Sequence, residues 1–190
     1  MLDTQKTALV VIDLQKGIVA MKTEPHASSA VVSRATRLVE AFRSKNMPVV
    51  LVRVATRRDG SDRLKPILDA DSGFGSMKLP SDWSDIVPEL GQKESDIVIT
   101  KRQWGAFYGT ELDLLLRRLG IDTIVLCGIA TNIGVESTAR FAFEYGYQQI
   151  FVEDATSARS KVEHDHTFEI NFPRIGRVRS TEEVLAMLEK

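Results

Sequence analysis

The chain has 190 residues, of which 43% are hydrophobic and 27% are charged, a composition typical of a globular protein and not of a disordered one. Its length predicts one domain over residues 1–190, and its formal charge of −1 gives no reason to expect a nucleic-acid partner. One cysteine excludes a disulfide within the chain, and the N-terminus is typical neither of a signal peptide nor of a membrane span. We therefore expect a cytoplasmic protein with no membrane partner.

Alternating strands and helices are predicted along the chain. Apolar runs predict six strands, at Ala8–Ile12, Val49–Val54, Ile97–Thr100, Ile124–Leu126, Gln149–Val152 and Ile175–Val178. Helical spacing and stop signals predict helices at Ser28–Asn46, at Thr110–Leu119, after Thr131, at Glu163–Phe172 and from Thr181 onward. This alternation predicts an α/β fold with a parallel sheet and helices on both of its faces.

The segment Thr56–Ser95 interrupts this alternation. It is rich in glycine, proline and charged residues, and a connection of this length is usually functional or disordered. It is a candidate lid over the strand ends. Its basic residues, Arg57, Arg58, Arg63 and Lys65, could attract an anionic substrate, although a solvated loop surface accounts for most of them.

The stretch Ile121–Arg140 reads as a buried strand, a tight turn and a helix. Gly128 and Gly134 bracket the turn, where bare backbone can approach a ligand, and Thr131 and Asn132 are candidate N-caps. Open α/β sheets bind ligands at such strand ends, and the free N–H groups of a helix start can hold an oxyanion. An ordinary strand–helix connection remains the simpler interpretation of these residues alone.

Two charged residues lie at the ends of the first and third predicted strands, on the same expected edge of the sheet. Asp13 follows the first strand and Lys101 the third, so a carboxylate and an ammonium could orient a substrate and move a proton there. Solvent-facing charges are the alternative. Trp104 and Phe107 follow Lys101 and are candidate pocket walls for a flat substrate, although aromatic residues more often serve core packing.

Other reactive side chains give weaker signals. Cys127 lies within a predicted strand, which favours a small buried residue over a nucleophile. His164 and His166 have no evident third ligand nearby, so we expect exposed or capping histidines and no metal. Neither G-x-G-x-x-G nor G-x-x-x-x-G-K-[ST] occurs, and no cofactor is expected.

Four motifs together resemble the isochorismatase-like hydrolases, also called the cysteine hydrolase superfamily. They are ALVVIDLQ from Ala8, KRQWGAFYGTEL from Lys101, DTIVLCGIATNIGVESTAR from Asp122 and the weaker EDATSA from Glu153. The resemblance covers nearly the whole chain and is closest to a bacterial subgroup of uncharacterised family members. It implies a three-layer α/β/α sandwich with a six-stranded parallel sheet, a small-molecule substrate and a homo-oligomer, either a dimer or a tetramer.

The resemblance also implies roles for individual residues. Asp13 matches the family's catalytic aspartate and Lys101 its catalytic lysine. The Ile129–Ala130 bond falls where the family has a non-proline cis peptide, and the amides of Ala130 and Gly134 match its oxyanion-binding corner.

Gly134 departs from the pattern of the family's amidases. Nicotinamidases and N-carbamoylsarcosine amidohydrolases carry their nucleophilic cysteine there, and metal-binding nicotinamidases also use an Asp-x-His motif that Val54–Gly60 lacks. Isochorismatases resemble this chain in combining the aspartate and lysine with glycine, which implies hydrolysis of a vinyl ether in a small anionic metabolite with Asp13 as general acid. Two alternatives stay open. One is an inactive member that binds a metabolite or a partner protein, and the other is an amidase that uses Cys127.

Overall fold

The computed structural model describes residues 2–70 and 79–189. Its core is one sheet of six parallel strands in the order β3-β2-β1-β4-β5-β6. The strands are β1 (Thr7–Ile12), β2 (Val49–Val54), β3 (Ile97–Lys101), β4 (Thr123–Ile129), β5 (Gln148–Ser157) and β6 (Arg177–Arg179). The predicted parallel α/β sheet is confirmed.

Helices connect the strands and cover both faces of the sheet. They are α1 (Lys16–Val19), α2 (Ser28–Ser44), α3 (Leu112–Arg118), α4 (Glu136–Glu144), α5 (Lys161–His166) and α6 (Thr181–Leu188). Shorter turns of 3₁₀ type lie at Pro88–Leu90 and Phe172–Arg174, and turns of π type lie at Thr131–Val135 and Thr167–Asn171. None of the helices in the described part of the chain combines the length and apolar character needed to cross a membrane.

Two apolar clusters, one on each side of the sheet, explain the uninterrupted apolar sequence of β1. Leu9 and Val11 pack with α2 and α6 on one face, while Val10 and Ile12 pack with α3 and α4 on the other. A strand covered on both faces has no position at which a polar side chain would reach solvent. The resulting three layers are the α/β/α sandwich that the resemblance implied.

Element boundaries differ from the predictions where local geometry overrides sequence pattern. β5 continues beyond Val152 to Ser157, because a register shift lets Thr156 and Ser157 pair with the end of β4. The helix predicted at Glu163–Phe172 begins earlier, at Lys161. It is capped by Ser160, whose hydroxyl accepts from the Glu163 amide, and it becomes a π turn after His166.

The last strand is also displaced, to Arg177–Arg179, since the amides of Ile175 and Gly176 donate to the carbonyl of Phe172 and close a turn before it. α2 ends two residues before its predicted end. α3 begins two residues later and ends one residue earlier than predicted, and differences of this size are common at helix termini.

Part of the candidate lid is hydrogen-bonded to the residues that follow β1. Residues 71–78 of Thr56–Ser95 lie outside the described residues. Gln15 forms an isolated antiparallel bridge with Ile86, and the Val87 amide donates to the Leu14 carbonyl at 3.1 Å. The end of this segment therefore lies beside the chain that leaves β1.

Candidate active site

Asp13 is the first residue after β1 and is held in an unusual backbone conformation. Its φ of 52° lies in the left-handed region, which costs a non-glycine residue about 1–3 kcal/mol and often marks functional sites. Its amide donates to the carbonyl of Val52 at 2.9 Å, so the turn is tied to the end of β2. The residue is only 5% exposed. The fold thus places a carboxyl group inside the protein at the carboxyl end of the sheet.

Lys101, the last residue of β3, reaches Asp13 across the end of the intervening strand β2. Its ammonium Nζ lies 2.8 Å from Asp13 Oδ2 and also donates to the carbonyl of Trp104. Lys101 is 1% exposed, so both charges of the pair are shielded from water. The juxtaposition expected from the two strand ends is present.

The electrostatics of Asp13 favour its neutral form more than those of an ordinary carboxyl group. Burial raises the pKa of Asp13, and this effect outweighs the attraction of Lys101, which lowers it. Asp13 Oδ1 is buried and has no hydrogen-bond partner among the described residues. The amide of Val54 is close enough to lower the pKa of Asp13 slightly, but its hydrogen bond goes to Gln15 Oε1 at 2.8 Å. One carboxyl oxygen is therefore engaged by Lys101, and the other is available to a ligand or a proton.

The turn after β4 lies against this ion pair. The Ile129–Ala130 peptide bond is cis, at the position that the resemblance implied. A Cβ atom built on Gly134 would lie 3.0 Å from Asp13 Oδ2 and 3.2 Å from Lys101 Nζ. The side chain of any other residue at position 134 would therefore point into the pair. The Gly134 carbonyl accepts from the Thr138 hydroxyl at 2.7 Å, which fixes the turn to α4.

Thr131 and Asn132 are not N-caps, contrary to the prediction. They lie inside the π turn, and α4 begins only at Glu136. The Thr131 hydroxyl lies 2.9 Å from Nδ1 of His164. Asn132 Oδ1 is buried and, within the described residues, has no hydrogen-bond partner. The helical path begins at Thr131 with Ala130 at the N-cap position, so Thr131 and Asn132 lie one and two residues past the cap.

The two candidate wall residues occupy different environments. Trp104 is 62% exposed, and its carbonyl accepts from Lys101. Phe107 is buried and packs against the rings of Tyr145 and Tyr147, with centroid distances of 5.5 and 5.6 Å. These contacts give Phe107 a packing role in the core, so its proposed place in a pocket wall is not supported by its surroundings.

Cys127 lies within β4 and is completely buried. Burial raises the pKa of its thiol to about 12, with a smaller contribution from the charge of Asp154. A thiolate is needed for nucleophilic attack, and it would be scarce at neutral pH. The prediction of a small buried residue is confirmed.

Two arrangements near the site were not predicted. Gln15 connects the end of β2 to the segment before β3, because its side-chain amide donates to the carbonyls of Val54 and Trp83 at 3.0 and 3.2 Å. His164 is buried, and it shares the carboxylate of Glu153 with His26. The expectation that His164 is exposed or capping is therefore wrong. Its partners come from remote parts of the sequence, and only the folded chain brings them together.

Comparisons with known proteins place these features in a family. Residues 7–183 match the model of the isochorismatase domain. An uncharacterised isochorismatase family protein of Bacillus subtilis is 56% identical over 188 residues, covering 99% of this chain and 97% of the relative. A ureidoacrylate amidohydrolase of Serratia proteamaculans is 32% identical over 173 residues, which are 80% of this chain and 70% of the relative. The solved structure of an isochorismatase family protein from Burkholderia thailandensis is 44% identical, with a TM-score of 0.93 and coverage of 98% and 97% of the two chains.

Proposed function

Since this chain belongs to the isochorismatase family of hydrolases, we propose that it hydrolyses a vinyl ether in a small anionic metabolite, with Asp13 as general acid and without a covalent intermediate. The observation that carries the proposal is the state of Asp13. Its carboxyl group is buried, its pKa is raised, and Oδ1 is unengaged among the described residues. A general acid must hold a proton in the presence of substrate, and burial is the usual means by which proteins achieve this.

The chemistry begins with proton transfer from Asp13 to the enol-ether carbon, which leaves an oxocarbenium ion. Water adds to that cation and gives up a proton, and the resulting hemiketal collapses to a carbonyl compound and an alcohol. Asp13, then a carboxylate, regains a proton as the cycle ends. The ammonium of Lys101, 2.8 Å from Oδ2, stabilises the transient carboxylate and offers a positive charge to an anionic substrate.

The turn contributes shape and polarity. Gly134 leaves the space beside Asp13 and Lys101 unfilled, and a substrate atom could occupy the volume that a side chain would take. The backbone amides of Ala130 and Gly134 are proposed to bind a substrate oxygen, as the family resemblance implies. Trp104, which is exposed and adjoins the lysine, is proposed as a wall for the substrate.

Amide hydrolysis is the competing reaction, because the Serratia relative is named a ureidoacrylate amidohydrolase. An acyl-enzyme route requires a thiolate next to the oxyanion-binding amides. Position 134 carries glycine, and Cys127, the one cysteine of the chain, is buried with a pKa of about 12. These properties favour the proton-transfer reaction. A binding protein without catalytic activity would keep the pocket but show no turnover.

The proposal is tested by screening vinyl ethers, amides and ureas, with products identified by mass spectrometry. On the first substrate found, Asp13→Asn should lower kcat by roughly 10²–10⁴-fold, because an amide cannot donate the catalytic proton. The matched variant Cys127→Ala should retain turnover, and the turnover of the wild-type protein should resist iodoacetamide. A folded but inactive Cys127→Ala protein with an active Asp13→Asn protein would replace the proposal with a cysteine-dependent amidase. Absence of turnover across the screen would favour a binding role.

A further inference from the structure

A second group of ionisable side chains lies next to the turn after β4. It consists of His26, in the segment between α1 and α2, Glu153 in β5 and His164 in α5. Nε2 of each histidine lies 3.0 Å from the same carboxylate oxygen, Glu153 Oε1. One potential ligand atom from each of the three residues lies within 4.8 Å of the other two. We call these three residues the His26–Glu153–His164 cluster.

We propose that the His26–Glu153–His164 cluster binds one divalent transition-metal ion of the zinc class. Bonds of about 2.0–2.1 Å in a tetrahedral zinc site separate neighbouring ligand atoms by about 3.3–3.4 Å. Each histidine nitrogen is already 3.0 Å from the glutamate oxygen, so a small outward movement would admit the ion. Three protein ligands would leave the fourth position to water.

The identity of the donors selects the metal. Imidazole nitrogens suit zinc, nickel, copper and cobalt, whereas magnesium and calcium prefer shells made only of oxygen. Two imidazoles with one carboxylate is a set that zinc uses in proteins. The cluster should therefore discriminate strongly between Zn²⁺ and Mg²⁺.

The ligands are held in place by hydrogen bonds from a surrounding shell. Nδ1 of His164 lies 2.9 Å from the Thr131 hydroxyl, which leaves Nε2 as the nitrogen that faces Glu153. The His26 backbone is fixed on both sides, because its amide donates to Ser157 Oγ at 3.2 Å and its carbonyl accepts from the Ser157 and Thr23 hydroxyls, each at 2.8 Å. Such outer contacts orient histidine ligands in metal sites.

Charge and access are both compatible with an ion. Glu153 contributes an acidic oxygen that lies between the two imidazole nitrogens, so the cluster offers one carboxyl group to a cation. The side chains of Glu153 and His26 are 38% and 22% exposed, while that of His164 is 2% exposed. The cluster is therefore closed on the His164 side and open to solvent on the other, which gives an ion and a coordinated water a route in.

The site would connect metal binding to the catalytic turn without taking part in proton transfer. Thr131, which contacts His164, is the first residue of the π turn that carries Gly134. A bound ion would immobilise His164 and, through Thr131, the start of this turn. This proposal differs from the expectation of no metal drawn from the sequence, and it does not depend on the proposed reaction.

The test is a titration of the chelator-treated, tag-free protein with Co²⁺, which reports nitrogen and oxygen coordination through its visible absorption. We expect saturation at one Co²⁺ per chain at micromolar concentration, displacement by Zn²⁺ and no displacement by excess Mg²⁺. Zn²⁺ should also raise the melting temperature, because an ion that binds only the folded state stabilises it. No absorption change at millimolar Co²⁺ would show that the cluster is only hydrogen-bonded and would overturn the proposal.

Variants assign the binding to these residues. Glu153→Gln and His26→Ala should each weaken Co²⁺ binding by at least about tenfold, and Thr131→Val should weaken it by about 10–100-fold through the outer contact. His166→Ala is the matched control, since His166 is exposed and is the third and last histidine of the chain. His26 is partly exposed, so His26→Ala should fold even if Glu153→Gln does not. Equal Co²⁺ binding by the wild type and His26→Ala would refute the site. Loss of binding in His166→Ala would assign the ion elsewhere and refute it as well.

Discussion

The position that a side chain of Gly134 would occupy lies next to the carboxyl group of Asp13. A Cβ atom on Gly134 would lie 3.0 Å from Asp13 Oδ2, while Lys101 Nζ lies 2.8 Å from that same oxygen. The carboxylate therefore has an ammonium on one side and an unfilled space on another. A side chain at position 134 would therefore lie directly beside Asp13, the proposed general acid.

Replacement of Gly134 by cysteine should introduce a reactive thiol. The backbone at Gly134 is not in the left-handed region, so a side chain is compatible with it, although its neighbours must move by a few tenths of an ångström. The ammonium of Lys101 beside the new thiol should lower its pKa. We expect Gly134→Cys to gain one iodoacetamide adduct in its native state, measured by intact mass spectrometry.

The wild-type protein provides the control for this alkylation. Its one thiol, Cys127, is buried and has a pKa of about 12, so the native protein should gain no adduct in the same period. The double variant Cys127→Ala, Gly134→Cys should label like the single variant. Equal labelling of wild type and Gly134→Cys would contradict the placement of position 134 at the site.

The pH dependence of turnover distinguishes a general acid from a general base at Asp13. Burial raises the pKa of Asp13, and the protonated form required for donation is populated below that raised value. Consequently kcat should be greatest at low pH within the range where the protein is folded and should fall as pH rises through the pKa. A profile of kcat against pH measures this, with Cys127→Ala expected to give the same curve. A rate that increases with pH over this range would indicate a carboxylate base and an amidase-type mechanism.

The sequence pattern predicted the central strands of the sheet well, because their structure follows from local apolar runs. β1 and β2 are covered on both faces, so their apolar runs marked them clearly, and the strand ends placed Asp13 and Lys101 on one edge. The extension of β5 could not be predicted, because Glu153 and Asp154 interrupt the apolar pattern while the strand continues past a register shift.

Long-range side-chain contacts left no signal in the sequence. His26 and Glu153 are separated by 127 positions, and neither flanking sequence contains a repeated spacing of ligands. Their meeting depends on the segment before α2 crossing to the end of β5, where the backbone of His26 is hydrogen-bonded to Ser157. Burial of His164 likewise follows from the π turn that brings Thr131 to it.

Self-association remains a prediction, and exposed aromatic side chains give it a physical basis. Ala142 of α4 is buried, whereas Phe143 is 53% exposed, so the helix presents an aromatic ring away from the core. We expect light scattering at micromolar concentration to give at least twice the monomer mass of 21.2 kDa, and Phe143→Ser to lower that value. The variant Val162→Ser, at a residue 77% exposed on α5, is the control and should leave the mass unchanged. A wild-type mass of 21.2 kDa would exclude the proposed dimer or tetramer.

Gly128 should not tolerate substitution, because the backbone of β1 passes directly against its Cα. A Cβ atom there would lie 2.1 Å from the carbonyl oxygen of Ile12, the residue before Asp13, and its φ of 124° disfavours any side chain. Gly128→Ala should therefore lower the free energy of unfolding by more than about 4 kcal/mol or prevent folding. The control is Gly120→Ala, where φ is 71° but no atom lies within 4 Å, and where left-handed strain alone costs about 1–2 kcal/mol. Urea denaturation measures both, and equal losses would show that contact with β1 is not what requires glycine at position 128.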